Sequence, residues 1–227
     1  MFTAIDEFAP EGAESGAALA VRDDDGRYLF FLAGQRHRRQ CAAGELFYAG
    51  IGGHREPGED WVTCVRREAR EEIGVELDII PAQSTWYVPH EGAVQRVHLC
   101  DRPRPLALHE MVHPPRTPKA GAAYRIVIYT AGLRDRPLLR RPDELCGVVA
   151  LTAGQVVRGV DRRPTLARLL EEGADLLVGG DRVDRRLRLY PIGTARALAR
   201  ILPFVEARSG SPIIPPAAGR QRGDQGR

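Results

Sequence analysis

The feature that most constrains this chain is a predicted amphipathic helix with glutamates on one face and apolar side chains on the other. Residues 59–75 are Glu-Asp-Trp-Val-Thr-Cys-Val-Arg-Arg-Glu-Ala-Arg-Glu-Glu-Ile-Gly-Val. Gly74 lacks a Cβ and can take the left-handed conformation that ends many helices. Apolar residues recur at every fourth position, a spacing that predicts a stripe buried in a core: Trp61, Val65, Ala69 and Ile73.

The opposite face of this helix gathers three carboxylates. Glu68 and Glu71 are three positions apart and Glu68 and Glu72 are four apart, so all three lie on one helix face. Like charges at this spacing destabilise a helix by about 0.2–0.5 kcal/mol per pair, although a charged face in solvent also has this composition. A divalent cation removes the repulsion, and Mg²⁺ prefers oxygen ligands and also binds substrate phosphates. The pattern therefore predicts a magnesium site, with Mn²⁺ as the alternative ion.

A longer pattern surrounds these glutamates. It consists of Gly53, five residues, Glu59, seven residues, Arg67-Glu68, an apolar residue, one residue, Glu71-Glu72, one residue, Gly74 and an apolar residue. This pattern resembles the Nudix box at every fixed position, with Ala69 where a larger aliphatic residue is more usual. The resemblance implies an α/β fold, a Nudix-type α/β/α sandwich with a mixed sheet. It also implies hydrolysis of a nucleoside diphosphate linked to another moiety, such as a sugar.

The resemblance assigns roles to residues of the box. Glu68, Glu71 and Glu72 are the predicted metal ligands, together with the backbone carbonyl of Gly52. Glu68, Arg67 and Glu71 are the predicted catalytic residues. Glu68 is the candidate base that takes a proton from water, although a base from outside the box stays open. Three residues complete the structural frame of the box: Gly53, Glu59, which pairs with Arg67, and Gly74.

Three residues outside the box are further candidates. Glu144 precedes an expected strand at 148–151 and is a candidate metal ligand, the alternative being an ordinary exposed turn residue. Arg36, in a basic segment, is a candidate phosphate contact because a guanidinium can form paired hydrogen bonds with phosphate oxygens. Trp86 is a candidate for stacking on a base, although an aromatic residue in a strand is commonly part of a core.

The expected organisation is one domain with extensions. We expect a leader over 1–14 and a Nudix hydrolase domain over 15–208. That domain includes a loop insertion at 89–122 and a helical C-terminal extension at 173–208, and a disordered tail covers 209–227. Asp23-Asp24-Asp25-Gly26 between two apolar runs predicts a β-hairpin. Periodicity predicts helices near 59–73, 164–172 and 193–205, and strands near 17–21, 28–33, 45–51, 75–80, 85–88, 124–130 and 148–151.

Composition limits the remaining functional classes. The 227 residues are 43% hydrophobic with a net charge of +3, so a substantial core is expected and nucleic-acid binding is not. The sequence contains no apolar run long enough to span a membrane, and its start does not resemble a signal peptide. We therefore expect a cytoplasmic protein that takes a small-molecule nucleoside diphosphate; a homodimer stays open.

Two other functions share the fold that this resemblance implies. A nucleotide-sugar sensor without turnover usually has a degraded box, whereas Glu68, Glu71 and Glu72 are all present here. An isomerase of the isopentenyl diphosphate type would require further Cys and Glu motifs that this sequence does not show. Family members that act on ADP-sugars tend to carry a proline shortly after the box, and Pro89 lies fourteen residues beyond Val75.

Overall fold

A computed structural model describes residues 2–113, 119–133, 135–180 and 183–206. Within these residues one mixed β-sheet has helices on both faces, which confirms the predicted α/β/α sandwich. The helices are α1 Ile5–Phe8, α2 Gln35–Arg38, α3 Trp61–Ile73, α4 Ala153–Arg162, α5 Leu166–Glu171 and α6 Gly193–Glu206. The strands are β1 Ser15–Arg22, β2 Tyr28–Ala33, β3 Glu45–Ala49, β4 Ile51–His54, β5 Leu77–Ile80, β6 Thr85–Val88, β7 Gln95–Val97, β8 Ala107–Val112, β9 Ala123–Leu133, β10 Leu145–Leu151, β11 Asp175–Val178 and β12 Arg188–Pro191.

Strand β1 lies at the centre of the sheet and organises its pairing. The main strand order is β11-β10-β2-β1-β9-β8-β6-β7, with β3 and β12 joined beside β2, β4 beside β1 and β5 beside β9. β1 is parallel to β9 but antiparallel to β2 and β4. The first seven residues of β1 are buried, as expected for a strand covered on both faces.

Each face of the sheet has its own apolar core. The predicted stripe on α3 lies in the core beneath one face, together with Ile5 and Phe8 of α1. The other face is covered by α4, α5 and α6, with Leu198 and Ile201 of α6 fully buried. The box helix therefore has a rigid apolar support, and its glutamate face is directed along the sheet toward β4.

Local signals in the sequence set the turn and the helix ends. β1 and β2 form the predicted hairpin, with Val21 opposite Leu29. The side chain of Asp60 caps α3 by accepting hydrogen bonds from the backbone N–H groups of Val62 and Thr63, which satisfies two otherwise unpaired donors. Gly74 ends α3 with a φ of 66°, the left-handed conformation that was expected of it.

The segments outside the predicted core contribute more structure than their sequences indicate. In the expected leader, Ile5 and Phe8 are buried. The expected loop insertion at 89–122 contains β7 and β8, and β8 pairs with both β6 and β9. Ala107 and Leu108 of β8 are buried on opposite faces, so the strand lacks the alternation that marks a half-exposed strand. The expected tail at 209–227 lies outside the described residues.

None of the helices that the structure describes combines the length and the apolar character needed to cross a lipid bilayer.

Strands β1 and β4 lie so close together that a side chain added at Gly16 tests the packing around the box. A Cβ atom on Gly16 would lie 2.0 Å from the Tyr124 hydroxyl and 2.2 Å from the Gly53 carbonyl oxygen. We expect Gly16→Ala to lower the free energy of unfolding by about 1–3 kcal/mol through overpacking, measured by chemical denaturation. Gly132→Ala in β9 is the matched control, because its Cβ would meet only Ile80 at 3.6 Å. Equal stability of the two variants would contradict the packing described for β1 and β4.

Candidate functional site

Two glycines of β4 allow the acidic face of α3 to lie directly beneath the strand. Glu68 and Glu72 are only 8% and 6% exposed, although carboxylates are rarely buried without partners. The Gly52 N–H donates a 3.1 Å hydrogen bond to Glu72 Oε2, and the Gly52 φ of 146° favours glycine. A Cβ on Gly53 would lie 2.4 Å from Glu68 Oε1. Glycine at position 53 therefore leaves room for Glu68, and glycine at position 52 suits the backbone conformation that directs its N–H to Glu72.

Arg67 connects α3 to the loop that precedes it. Its Nε and Nη2 donate to the two carboxylate oxygens of Glu59 at 2.9 and 3.1 Å, and its Nη1 donates to Glu68 Oε1 at 2.7 Å. Nη2 also donates to the His54 carbonyl oxygen at 3.1 Å. The hydrogen bonds from Arg67 lower the pKa of Glu59, so this carboxylate stays ionised. The predicted pair between Arg67 and Glu59 is present, and it fixes Glu68 at the same time.

Two further arginines bring Glu144 into the same cluster. Arg141 Nη2 forms an ion pair with Glu71 Oε2, and Arg141 Nη1 lies 3.4 Å from Glu144 Oε2. Arg36 Nη1 forms an ion pair with Glu144 Oε1. The structure therefore brings together α3, the segment before β10 and α2, so that Glu144 and Arg36 both join the box residues.

The cluster holds more carboxylates than cations. Glu59, Glu68, Glu71, Glu72 and Glu144 face Arg36, Arg67 and Arg141, a formal balance of 3 − 5 = −2.

Glu72 carries the least compensated of these charges. In the part of the chain that is described it has no ion pair, and its one hydrogen-bond donor is the Gly52 N–H. Burial raises the pKa of Glu72 to about 8, and the nearby charges of Glu68 and Glu144 act in the same direction. Burial also raises the pKa of Glu68. The raised pKa favours the protonated, neutral form of Glu72, and a bound cation would favour its ionised form.

The donor atoms suit a hard divalent cation, although arginines lie between them. Carboxylate oxygens are the ligands that Mg²⁺ and Mn²⁺ prefer. Within the described ranges, no three His, Cys, Asp or Glu side chains converge as a metal-binding group, and Arg141 contacts both Glu71 and Glu144. The contact observed from Gly52 is made by its N–H, whereas the predicted metal ligand is its carbonyl.

Trp86 is not brought to this cluster. Its ring stacks on Phe204 of α6 with centroids 5.4 Å apart. It lines a separate cavity together with Arg22 and Ile80, so its predicted role in substrate binding gains no support from its position. Sequence analysis missed Arg141, which is 70 residues away from its partner Glu71. No spacing signal in the sequence connects residues so far apart.

Comparisons with known proteins identify the family of this chain. A family model described as NUDIX domain matches residues 13–172. No curated protein sequence matches the chain. Similar solved structures include a MutT protein from Methanosarcina mazei Go1, 11% identical with a TM-score of 0.44, covering 70% of this chain and 88% of that one. Another is the dihydroneopterin triphosphate pyrophosphohydrolase of E. coli, 15% identical with a TM-score of 0.39, covering 63% of this chain and 83% of that one. A MutT NUDIX hydrolase from Burkholderia pseudomallei is 19% identical with a TM-score of 0.39, covering 60% and 79%.

The contacts of Arg67 predict its contribution to stability. Arg67→Lys keeps the charge but loses the planar fork that binds Glu59. We therefore expect a loss of roughly 1.5–3 kcal/mol, the usual value of hydrogen bonds to charged groups, measured by urea denaturation in metal-free buffer. Arg66→Gln is the control, because Arg66 is adjacent and exposed. If Arg67→Lys unfolds at the wild-type urea concentration, Arg67 does not hold the loop before α3.

Proposed function

The chain belongs to the Nudix family of pyrophosphohydrolases, and on that premise we propose that it is a divalent-metal-dependent hydrolase of a nucleoside diphosphate linked to another moiety, such as a sugar. One observation carries this proposal. Glu68 and Glu72 of the box are buried beneath β4, and among the described residues Glu72 has no cationic partner. Magnesium as the preferred ion and a cytoplasmic location are parts of the same proposal.

The proposed ligands of the cation are Glu68, Glu71 and Glu72, with Glu144 and the Gly52 carbonyl as additional oxygen donors. Glu144 lies within this group because Arg141 contacts it and Glu71 together. A divalent cation held there would neutralise the charge of a diphosphate and acidify nearby water. This choice of ligands explains why three carboxylates share one helix face despite their repulsion.

The side chains of the cluster have distinct proposed roles. Glu68 takes a proton from the attacking water. Arg67 orients Glu68 through the 2.7 Å hydrogen bond from Nη1. Arg36 is exposed beside Glu144, where its guanidinium can bind a substrate phosphate. Positioning of the water and the phosphate then supplies much of the rate enhancement.

The decisive experiment measures turnover of a panel of nucleoside diphosphate substrates in the presence of Mg²⁺. We expect release of a mononucleotide from at least one nucleotide sugar, and a chelator should abolish it. Glu71→Gln should lower kcat by roughly a hundredfold or more, the scale of losing one electrostatic contact to the transition state.

Glu76→Gln is the matched control, because Glu76 is exposed and pairs with Arg70 just beyond the end of α3. It should retain wild-type turnover. Tight binding of a nucleotide sugar with no turnover of any substrate would replace the hydrolase with the sensor function. Full activity of Glu71→Gln would remove Glu71 from the site. Glu68→Gln should lose about 10²–10⁴-fold in rate, and full activity of that variant would place the base outside the box.

Arg141 should compete with the metal for the same carboxylates. Its guanidinium contacts Glu71 and Glu144, so we expect Arg141→Gln to bind Mg²⁺ about tenfold more tightly, equivalent to roughly 1.4 kcal/mol, by isothermal titration calorimetry. Arg140→Gln is the control, because Arg140 is exposed and stands next in the chain. Weaker Mg²⁺ binding by Arg141→Gln would show instead that Arg141 holds the two ligands in place.

A further inference from the structure

A basic cavity lies on the opposite face of the sheet from α3, between β8 and α6. It is open to solvent and has a volume of about 70 Å³, and its polar lining residues are His90, His109, Arg196 and Arg200. None of the residues that line it is acidic, and none belongs to the carboxylate cluster. The proposed hydrolase site does not use this cavity.

His109 has a buried nitrogen that lacks a partner. The residue is 3% exposed, and its Nδ1 lies 3.0 Å from the Val88 carbonyl oxygen. A carbonyl can only accept, so Nδ1 carries the hydrogen and Nε2 presents a lone pair. Among the residues described, Nε2 is buried without a hydrogen-bond partner. Such a group is exceptional in native proteins and points to a missing donor.

The residues around His109 determine which kind of hydrogen-bond donor a ligand could present to Nε2. Burial and the positive charges of Arg200 and Arg196 lower the pKa of His109 to about 4, so the imidazole is neutral near pH 7. The same positive charges would repel an ammonium group. A hydroxyl is a suitable neutral donor, because it can donate to Nε2 without bringing a positive charge.

The two arginines define the second part of the ligand. Arg196 and Arg200 are four positions apart on α6, so their like charges repel, and neither forms an ion pair with any described carboxylate. Arg200 donates to the carbonyl oxygens of Pro89 and Gly92, which anchors its guanidinium at the cavity wall. The cavity also includes Gly193 at the start of α6, where the helix dipole favours an anion.

We propose that this cavity is a binding site for a phosphorylated polyol, with its phosphate against Arg196 and Arg200 and one hydroxyl donating to His109 Nε2. The charge of the arginines selects the phosphate, and the unpaired acceptor selects a hydroxylated ligand over free phosphate. The site is independent of the metal cluster, so its occupation requires neither a divalent cation nor hydrolysis.

Calorimetric titration of the full chain carrying Glu71→Gln, in a chelating buffer, tests this site apart from turnover. The probes are ribose 5-phosphate, ribose and inorganic phosphate. We expect ribose 5-phosphate to bind at least about tenfold more tightly than either fragment, as expected when both groups contribute. Absence of ribose 5-phosphate binding at millimolar concentration would overturn the proposal, and it would leave the hydrolase assignment untouched.

Variants separate the two parts of the site. Arg196→Gln should weaken both ribose 5-phosphate and inorganic phosphate about tenfold, the usual effect of losing one charge-assisted hydrogen bond, and exposed Arg196 can be changed without affecting the core. Arg66→Gln on α3 is the control for a loss of positive charge. His109→Phe should weaken ribose 5-phosphate and leave inorganic phosphate unchanged.

Nitrogen NMR of the His109 ring gives a readout that does not require a variant to fold. The Nε2 resonance should shift when ribose 5-phosphate is added and remain in place with ribose at the same concentration. An unmoved resonance under saturating ribose 5-phosphate, or wild-type binding by Arg196→Gln, would show that the ligand binds elsewhere.

Discussion

The burial of two carboxylates beneath β4 is the constraint on which the candidate site depends. Glu68 and Glu72 are buried where Gly53 presents no side chain to Glu68 and Gly52 donates its N–H to Glu72. The desolvation is partly offset by Arg67 and by the Gly52 N–H. The desolvation cost that remains lowers the stability of the fold, and a bound cation would reduce this cost. Gly52, Gly53, Glu68 and Glu72 therefore form one structural unit, because the two glycines provide the space and the N–H group that the buried carboxylates require.

Sequence patterns predicted the parts of the molecule that are encoded locally. The four-residue repeat from Trp61 to Ile73 fixed the buried face of α3, and Gly74 fixed its end. β8 could not be recognised in the same way, because its buried residues on both faces give no alternation. The place of Glu144 in the cluster was a hypothesis from the sequence, and its contact with Arg141 depends on tertiary structure that no short pattern records.

The segment after the family match is part of the same fold rather than a separate appendage. The match ends at residue 172, yet β12 pairs with β3, and α6 covers the core on the face opposite α3. A Cβ on Gly50 would lie 2.7 Å from the Cβ of Thr194, so the start of α6 lies against the chain two residues before Gly52. The extension therefore packs against the turn between β3 and β4, and removing it would expose the core on the face of the sheet opposite α3.

The acidic cluster contains more carboxylates than arginines, whereas the residues that line the basic cavity include arginines and no carboxylate. At the acidic cluster Arg67 pairs with Glu68 and Arg141 with Glu71, whereas Glu72 has no ion pair with any described residue. At the basic cavity Arg196 and Arg200 lack carboxylate partners among the described residues. Most of the other buried polar groups in the described chain have hydrogen-bond partners within the fold, as is usual for native proteins. The buried side-chain atoms without a hydrogen-bond partner among the described residues are the Tyr48 hydroxyl and the Nε2 atoms of His109 and His113, and of these His109 alone lines the basic cavity.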